Sequence, residues 1–169
     1  VRLLQAIDVP YVLAYAKRFG FNAKKLPRNL SLALGTGEVT PLELARAYAV
    51  FANGGFRITP YLIDHITNEQ GQIIYKAEPK IACEACLRGE IELPSDGKES
   101  PYAPHVIPAD IAFLMTSALK DVIRYGTGSQ ANVLNRNDLA GKTGTTSDYV
   151  DTWFTGFNSN IVATVWIGF

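Results

Sequence analysis

The chain carries no excess of charge of either sign, because sixteen lysine and arginine residues balance sixteen aspartate and glutamate residues. It also lacks the clusters of basic and aromatic residues that are typical of nucleic-acid-binding proteins, so nothing in it indicates a nucleic-acid partner. No apolar run reaches membrane-spanning length, and no signal peptide opens the chain. Two histidines and two cysteines are few for a zinc site, which needs about four ligands.

Apolar sequence, by contrast, is plentiful. Hydrophobic residues make up 47% of the 169 positions, which excludes a disordered chain and allows one domain with a sizeable core. The chain begins at Val1 inside an apolar helical run and stops at Phe169, directly after a strand-like segment. We expect from these ends that the sequence is a piece of a longer protein, so a missing signal peptide or anchor says nothing about location.

Helix start and stop residues divide the first half of the chain and recur once later. Asp8 is expected to cap a helix with Pro10 in its first turn, and Gly20 to end it. The segment Thr40-Pro41-Leu42-Glu43 is a capping box with proline at the first helical position, and Gly54-Gly55 follows that helix. A long amphipathic helix is predicted from Pro108 to Tyr125, with Gly126-Thr127-Gly128 as its stop.

Two regions have the composition of strands. Residues 56–75 are expected to be β structure, with strands 61–67 and 72–75 flanking a hairpin turn at 68–71. The last thirty residues contain three β runs, the second and third joined by a tight turn at 158–160. Residues 77–107 are polar and weakly patterned, as in a lid or an insertion. Helices first and adjacent strands last predict an α+β fold, with helices packed on an antiparallel sheet.

The most informative motif is the sequence K-T-G at Lys142, Thr143 and Gly144. A lysine, a hydroxyl and a glycine on one strand can bind an anionic peptide end, because the glycine removes a side chain where a ligand approaches. A backbone N–H beyond the glycine, at Thr145, could help to hold an oxyanion. K-T-G is also the third element of the acyl-enzyme signature of penicillin-binding proteins and β-lactamases, but three letters alone are weak.

The sequence around this motif is much more specific, and it closely resembles the transpeptidase domain of class A, bifunctional penicillin-binding proteins. The matching stretches keep the family order and cover most of the chain. They are SLALG (31–35), EVTPLELARAYAVFANGG (38–55), MTSAL (115–119), GTG (126–128) and GKTGTTSDY (141–149), with Asp151, Trp153 and Phe154.

The family uses S-x-x-K, S-x-N and K-T-G, in that order. K-T-G is complete here, no S-x-N is present, and family order places the catalytic S-x-x-K and the S-x-N before Val1. The resemblance therefore implies that residues 1–169 are the C-terminal portion of the domain, inactive alone. Ser117-Ala118-Leu119-Lys120 also spells S-x-x-K, but it lies mid-helix and out of order. We interpret Ser117 as a small packing residue and Lys120 as a solvated one.

For the complete protein, the resemblance implies serine acyl transfer that cross-links D-Ala-D-Ala stem peptides of peptidoglycan. Thr143 would bind the terminal carboxylate, Lys142 would add positive field and help proton transfer, and the backbone N–H of Thr145 would be an oxyanion donor. The peptide would lie antiparallel to the strand against Gly144, with Thr146 bordering the pocket.

The resemblance also implies partners and a location. Stem peptides and β-lactam antibiotics would bind, and no metal or organic cofactor would be needed. The parent protein would carry a glycosyltransferase, be anchored in the inner membrane, belong to a cell-wall synthesis complex and expose this part to the periplasm.

Other chemical motifs have simpler interpretations. His65 and His105 could suggest a Ser-His-Asp triad, but nothing places either near a serine. Asp148 and Asp151 could be paired carboxylates, although turn and strand-start roles fit better. Cys83-Glu84-Ala85-Cys86 is a lone C-x-x-C, for which a disulfide, free thiols and a metal or redox site all stay open. The extracytoplasmic location that the resemblance implies favours the disulfide.

Three classes of function therefore compete. We favour a part of an acyl-transfer enzyme, with a serine β-lactamase-like hydrolase as the alternative within that class. The second class is a non-catalytic piece that binds substrate or a partner. The third is a thiol-redox or metal module built on Cys83 and Cys86.

Overall fold

A computed structural model of the chain describes residues 1–91 and 99–169. In this part of the chain, the helices mostly precede the larger sheet. The α-helices are α1 (Arg2–Ile7), α2 (Val9–Ala16), α3 (Pro41–Ala52), α4 (Glu84–Leu87) and α5 (Ala109–Tyr125), and the strands are β1 (His65–Thr67), β2 (Ile73–Lys76), β3 (Ala140–Thr145), β4 (Asp151–Phe157) and β5 (Val162–Gly168). Short 3₁₀ helices occupy Lys17–Phe19, Leu30–Leu34, Ser129–Leu134 and Ser147–Tyr149.

The larger sheet is antiparallel, with the strand order β3-β4-β5. Its last connection is the tight turn expected at 158–160. There the N–H of Asn158 donates to the carbonyl of Ile161 at 3.0 Å, and the Asn158 side chain accepts from the N–H groups of Asn160 and Ile161. The three predicted β runs are thus confirmed, and β3 is an outer strand of the described sheet.

Helices α3 and α5 cover one face of this sheet. Phe157 and Ala140 form a buried cluster with Leu119 of α5, and Tyr48 and Phe51 of α3 pack against it. A second cluster, built from Val50, Ile107 and Ala112, joins the two helices to the N-terminal segment. Burial of this apolar surface is the main force that holds helices to sheet, and it confirms the predicted α+β fold.

The helix starts follow the sequence. The Asp8 carboxylate accepts the Val9 N–H at 2.8 Å. At α3 the capping box is complete: the Thr40 hydroxyl accepts the Glu43 N–H at 3.2 Å, and the Glu43 carboxylate accepts the Thr40 N–H at 2.8 Å. Gly20 ends the first helical region with a φ of 94°, and the Arg46 side chain donates to its carbonyl.

The β prediction for 56–75 is only partly correct. The hairpin turn at 68–71 is present, with Gly71 at a φ of 77° and the N–H of Asn68 donating to Gln72. However, strand pairing begins only at His65, because residues 57–64 find no partner strand and Pro60 lacks a donor. Phe56 instead forms an isolated bridge to His105.

The long polar segment 77–107 is predicted as a loop, and its described residues are tied down locally. Helix α4 lies within it, a disulfide joins Cys83 to Cys86, and Ile81 forms a bridge to Tyr102. Residues 92–98 lie outside the described part of the chain, so the prediction is assessed only on either side of them. The sequence did not predict the 3₁₀ helices Leu30–Leu34 and Ser129–Leu134, because such short segments have no periodicity.

Candidate functional site

The K-T-G motif occupies the middle of β3. Lys142 pairs with Thr155 of β4, Thr143 pairs with Phe154, and Gly144 pairs with Trp153. Successive side chains of a strand point to opposite faces of the sheet, so the Cβ atoms of Lys142 and Thr143 lie on opposite faces. Both are nevertheless accessible, because no other strand of the described sheet lies on the far side of β3.

The hydrogen-bond ladder determines which backbone groups of β3 are open. Just beyond the strand, the Thr146 N–H donates to the Asp151 carbonyl at 3.0 Å, so this pair is hydrogen-bonded. In an antiparallel ladder, hydrogen-bonded pairs alternate with non-hydrogen-bonded pairs. Counting back from Thr146, Thr145 and Thr143 belong to non-hydrogen-bonded pairs, so their N–H and carbonyl groups point away from β4. The Lys142 ammonium agrees with this direction, because its Nζ donates to the Thr143 carbonyl at 2.8 Å.

Polar side chains converge on the Thr143 hydroxyl. Its Oγ1 lies 2.7 Å from Oγ1 of Thr127 and 3.5 Å from Nζ of Lys142. A hydroxyl has one proton to donate and two lone pairs to accept with. In the structure the Thr143 hydroxyl donates its proton to Thr127 and accepts from the Lys142 ammonium, so an incoming anion would take over the proton that Thr127 accepts.

Thr127 is a site residue that sequence reasoning missed. It was interpreted only as part of a helix stop, although the G-T-G stretch was among the segments that carry the resemblance. The turn after α5 holds it firmly: the N–H groups of Gly126 and Gly128 both donate to the Val122 carbonyl, at 3.1 Å each. A Cβ on Gly126 would lie 2.9 Å from Cα of Val122, so this turn requires its glycine.

The two glycines of β3 differ in what surrounds them. A Cβ on Gly144 would meet only Cβ of Trp153 at 3.5 Å, an ordinary contact distance. A Cβ on Gly141 would lie 2.8 Å from the Thr155 carbonyl oxygen. The protein's own packing thus requires glycine at 141 but not at 144, and any need for Gly144 comes from a ligand.

The turn after the motif is closed by Thr146. Its hydroxyl accepts the Asp151 N–H at 2.8 Å, and Asp148 and Tyr149 take left-handed φ values of 61° and 57°. Asp148 thus lies in the turn and Asp151 begins β4, as their simpler interpretation predicts. Thr146 also lines a cleft at this end of β3.

Ser117 is exposed on α5, so the prediction that it is a packing residue is wrong; Leu119 makes the contact with the sheet. Lys120 is partly buried rather than solvated, because it shares a small cleft with Asp138 and Asn158. The histidines do not form a triad in the structure. His65 pairs with its neighbour Asp64 at 2.9 Å, and Nε2 of His105 lies 3.2 Å from the Gly54 carbonyl.

The remaining candidate chemistry is limited within residues 1–91 and 99–169. Cys83 and Cys86 are joined in a disulfide, which leaves neither thiol free for metal or redox chemistry in this state. In the same residues no group of three or more histidine, cysteine, aspartate or glutamate side chains could hold a metal ion. None of the described helices is both long and apolar enough to span a bilayer.

Comparison with known proteins agrees with this architecture. Residues 15–167 match the family described as the penicillin-binding protein transpeptidase domain. The whole chain aligns with penicillin-binding protein 1A of Pseudomonas aeruginosa at 42% identity and with that of Neisseria lactamica at 43%. These alignments cover 24% and 19% of the two relatives, so the chain spans about a quarter of their length or less.

Solved structures give the same result. The crystal structure of penicillin-binding protein 1A from Haemophilus influenzae superimposes with a TM-score of 0.87 at 37% identity, over 99% of this chain and 28% of that one. The D,D-transpeptidase domain from Eggerthella lenta has a TM-score of 0.72 at 23% identity, over 98% of this chain and 44% of that one, which shows a shared fold.

Proposed function

Because the chain belongs to the family of penicillin-binding protein transpeptidase domains, we propose that it forms the substrate-binding strand of a serine D,D-transpeptidase. The observation that carries the proposal is the open edge of β3. It combines the Thr143 hydroxyl, the Lys142 ammonium and outward-facing backbone N–H groups in a single accessible strand.

Each of these groups has a role in acyl transfer. Thr143 donates to the terminal carboxylate of a D-Ala-D-Ala peptide, and its hydrogen bond to Thr127 fixes the position of that hydroxyl before the peptide arrives. Lys142 adds positive field beside the same carboxylate and assists proton transfer. The Thr145 N–H, which faces away from β4, is one oxyanion donor for the scissile carbonyl; loss of one such donor typically costs about 10²–10³ in rate.

The nucleophile is a serine outside residues 1–169, since the sequence contains no S-x-N and neither of its S-x-x-K stretches, at residues 95–98 and 117–120, is followed by an S-x-N as the family order requires. The serine Oγ attacks the penultimate D-Ala carbonyl, its proton passes to the departing D-Ala amine, and an ester forms. An amine of a second strand then attacks the ester and returns the proton to the serine. The acyl-enzyme replaces one difficult step with two easier ones.

The stem peptide adds to β3 as an antiparallel strand. Thr143 and Thr145 offer outward-facing N–H groups, Thr145 also offers an outward-facing carbonyl, and the small Gly144 lets the peptide approach. The Thr143 carbonyl already accepts from Lys142 Nζ at 2.8 Å. A β-lactam binds in the same place and leaves a covalent adduct on the serine. No cofactor takes part.

The proposal extends to the parent protein. By its resemblance to class A penicillin-binding proteins, the parent protein is a bifunctional, membrane-anchored enzyme that also carries a glycosyltransferase and acts within a cell-wall synthesis complex, and the greater length of the relatives leaves room for these parts. The Cys83–Cys86 disulfide supports a periplasmic position for this part, since disulfides persist in oxidising compartments.

The test measures acylation of the complete domain by fluorescent penicillin. Thr143→Val should slow acylation by about 10²-fold, Lys142→Ala should do the same, and Thr127→Val should slow it by about tenfold because Thr143 loses its supporting hydroxyl. Thr127→Ser, which keeps the hydroxyl, should acylate at the native rate.

The matched control is Thr67→Val, the same change on an exposed strand away from β3. Native acylation rates in both Thr143→Val and Lys142→Ala would remove β3 from the mechanism.

A further inference from the structure

A cleft of 390 Å³ opens beside the end of β3, next to the proposed substrate strand. Its size is within the range of small-ligand sites. Side chains from three parts of the chain line it: the loop before α3, the turn after K-T-G, and strands β4 and β5. They include Thr36, Glu38, Thr146, Asp151, Trp153 and Trp166.

Two indole rings form one wall of the cleft. Trp153 and Trp166 are directly opposed in the ladder between β4 and β5, and their ring centroids lie 6.0 Å apart with 37° between the planes. Trp166 keeps 44% of its surface exposed, although indole rings usually favour burial. An accessible tryptophan face attracts cations through its ring quadrupole.

Asp151 is held in place beside these rings. Its Oδ1 accepts the Trp166 Nε1–H at 2.8 Å, and its backbone N–H donates to the Thr146 hydroxyl at 2.8 Å. Gly168 provides the space for this arrangement, because a Cβ there would lie 2.6 Å from Oδ1 of Asp151 and 2.8 Å from Nε1 of Trp166. The carboxylate is thus oriented before any ligand binds.

The charge of the cleft has one sign. Glu38 and Asp151 are carboxylates, and no lysine, arginine or histidine is present among the described residues that line it. Helix α3 begins at this cleft, but its capping box already occupies the Thr40 and Glu43 N–H groups, so the helix end offers few donors to an anion. A neutral ligand can gain only hydrogen bonds from the two carboxylates, whereas a cation also gains their Coulomb attraction and that of the indole faces.

We propose that this cleft binds a primary ammonium group carried by the substrate peptide, with the indoles against its alkyl chain and the two carboxylates against its charge. That the carrier is a peptide rests on the proposed function. The contact at Thr146 places the cleft at the end of the same strand that receives the peptide.

Binding is tested directly in the intact protein labelled with 5-fluorotryptophan, with the Trp153 and Trp166 ¹⁹F resonances assigned from single tryptophan-to-phenylalanine variants. N-acetylcadaverine, which carries one ammonium, should shift the Trp166 resonance with saturation. N-pentylacetamide, its neutral isostere, should not. Glu38→Gln and Asp151→Asn should each lower the affinity for N-acetylcadaverine by about fivefold, which is the effect of one nearby charge at a partly exposed site. Asp151→Asn keeps an acceptor for Trp166.

Glu69→Gln, the same charge change in the exposed hairpin turn, should leave the affinity unchanged. Equal responses to the two probes, or native affinity in both cleft variants, would overturn the proposal. Penicillin acylation of the same samples separates the two hypotheses: normal acylation without ammonium binding rejects the cleft alone, and no acylation of the native protein rejects the proposed function.

Transpeptidation kinetics identify the source of the ammonium. If the acceptor carries it, Glu38→Gln raises KM for the acceptor amine. If the donor's side chain carries it, the variant raises KM for a donor with a free side-chain amine but not for its acetylated form. Unchanged KM values for every substrate would contradict a role in the reaction.

Discussion

At the scale of single residues, the strand that carries K-T-G separates residues needed by the fold from residues available to a ligand. Gly141 is required because the Thr155 carbonyl oxygen would lie 2.8 Å from its Cβ. The Thr143 hydroxyl instead donates to Thr127 at 2.7 Å, on a strand whose far side pairs with no other strand of the described sheet. Gly141 is therefore required by the packing of the sheet, whereas Gly144, three positions later on the same strand, is not.

This difference predicts opposite outcomes for one substitution at two sites. Gly141→Ala should lower the free energy of unfolding of the complete domain by about 1–3 kcal/mol, because backbone atoms of β4 must move. Gly144→Ala should change that free energy by less than about 0.5 kcal/mol but should slow penicillin acylation, because the methyl group faces the peptide. Urea unfolding and acylation rates check both. Strong destabilisation by Gly144→Ala would contradict the assignment.

At the scale of elements, α3 links the fold to the site. Its capping box fixes where the helix begins, its middle packs on Phe157 of β4, and its first residues line the ammonium cleft. The hydrogen bond from the Thr40 N–H, followed by that from the Thr40 hydroxyl, lowers the pKa of the Glu43 carboxyl below its ordinary value of 4.5. The start of α3 is therefore sensitive to acid.

The lowered pKa of Glu43 determines how the stability of the domain changes with pH. A carboxyl whose pKa is depressed on folding stabilises the folded state above its unfolded pKa, and this contribution is lost as pH falls through the folded value. We expect Glu43→Gln to destabilise the domain by about 0.5 kcal/mol at pH 7 and by progressively less below pH 4.5. Urea unfolding from pH 7 to pH 3 measures the difference. Glu69→Gln is the matched control, and a difference that grows on acidification would contradict the sign.

At the scale of the whole molecule, described residues 1–91 and 99–169 present a binding strand and a core but no serine in the family order. In the proposed mechanism Lys142, Thr143 and Thr145 hold and polarise the substrate, and an acyl-enzyme also needs a nucleophile. The relatives are about four to five times longer than this chain, and the proposed function places the nucleophile outside residues 1–169.

The proposed function predicts where a β-lactam becomes attached. Incubated with fluorescent penicillin, the 169-residue chain should acquire no covalent label, while the intact protein should be labelled on a serine outside residues 1–169. Mass spectrometry of the peptides locates the adduct. Attachment at Ser117, or labelling of the chain alone at the rate of the intact protein, would require a nucleophile within these residues.

The sequence by itself determined the features that depend on neighbouring residues. The helix caps at Asp8 and Thr40, the glycine stops and the hairpin turn at 68–71 arise from contacts within a few positions, so they could be predicted without a fold. The family-specific stretches also identified the K-T-G strand. The strand predicted at 61–67 was too long, because composition cannot tell whether a partner strand is present.

Only the tertiary structure decided which distant groups meet. Thr127 reaches Thr143 across 16 positions, Asp151 and Trp166 are 15 apart, and Gly141 is needed because β4 passes close to it. These contacts depend on strand register and on how α3 and α5 pack on the sheet, where a shift of one residue would turn every side chain to the other face. Local sequence patterns locate the turn between β4 and β5, but they do not show how β3, the loop before α3 and the turn after α5 come together, so the Thr127–Thr143 contact and the ammonium cleft become visible only in the folded chain.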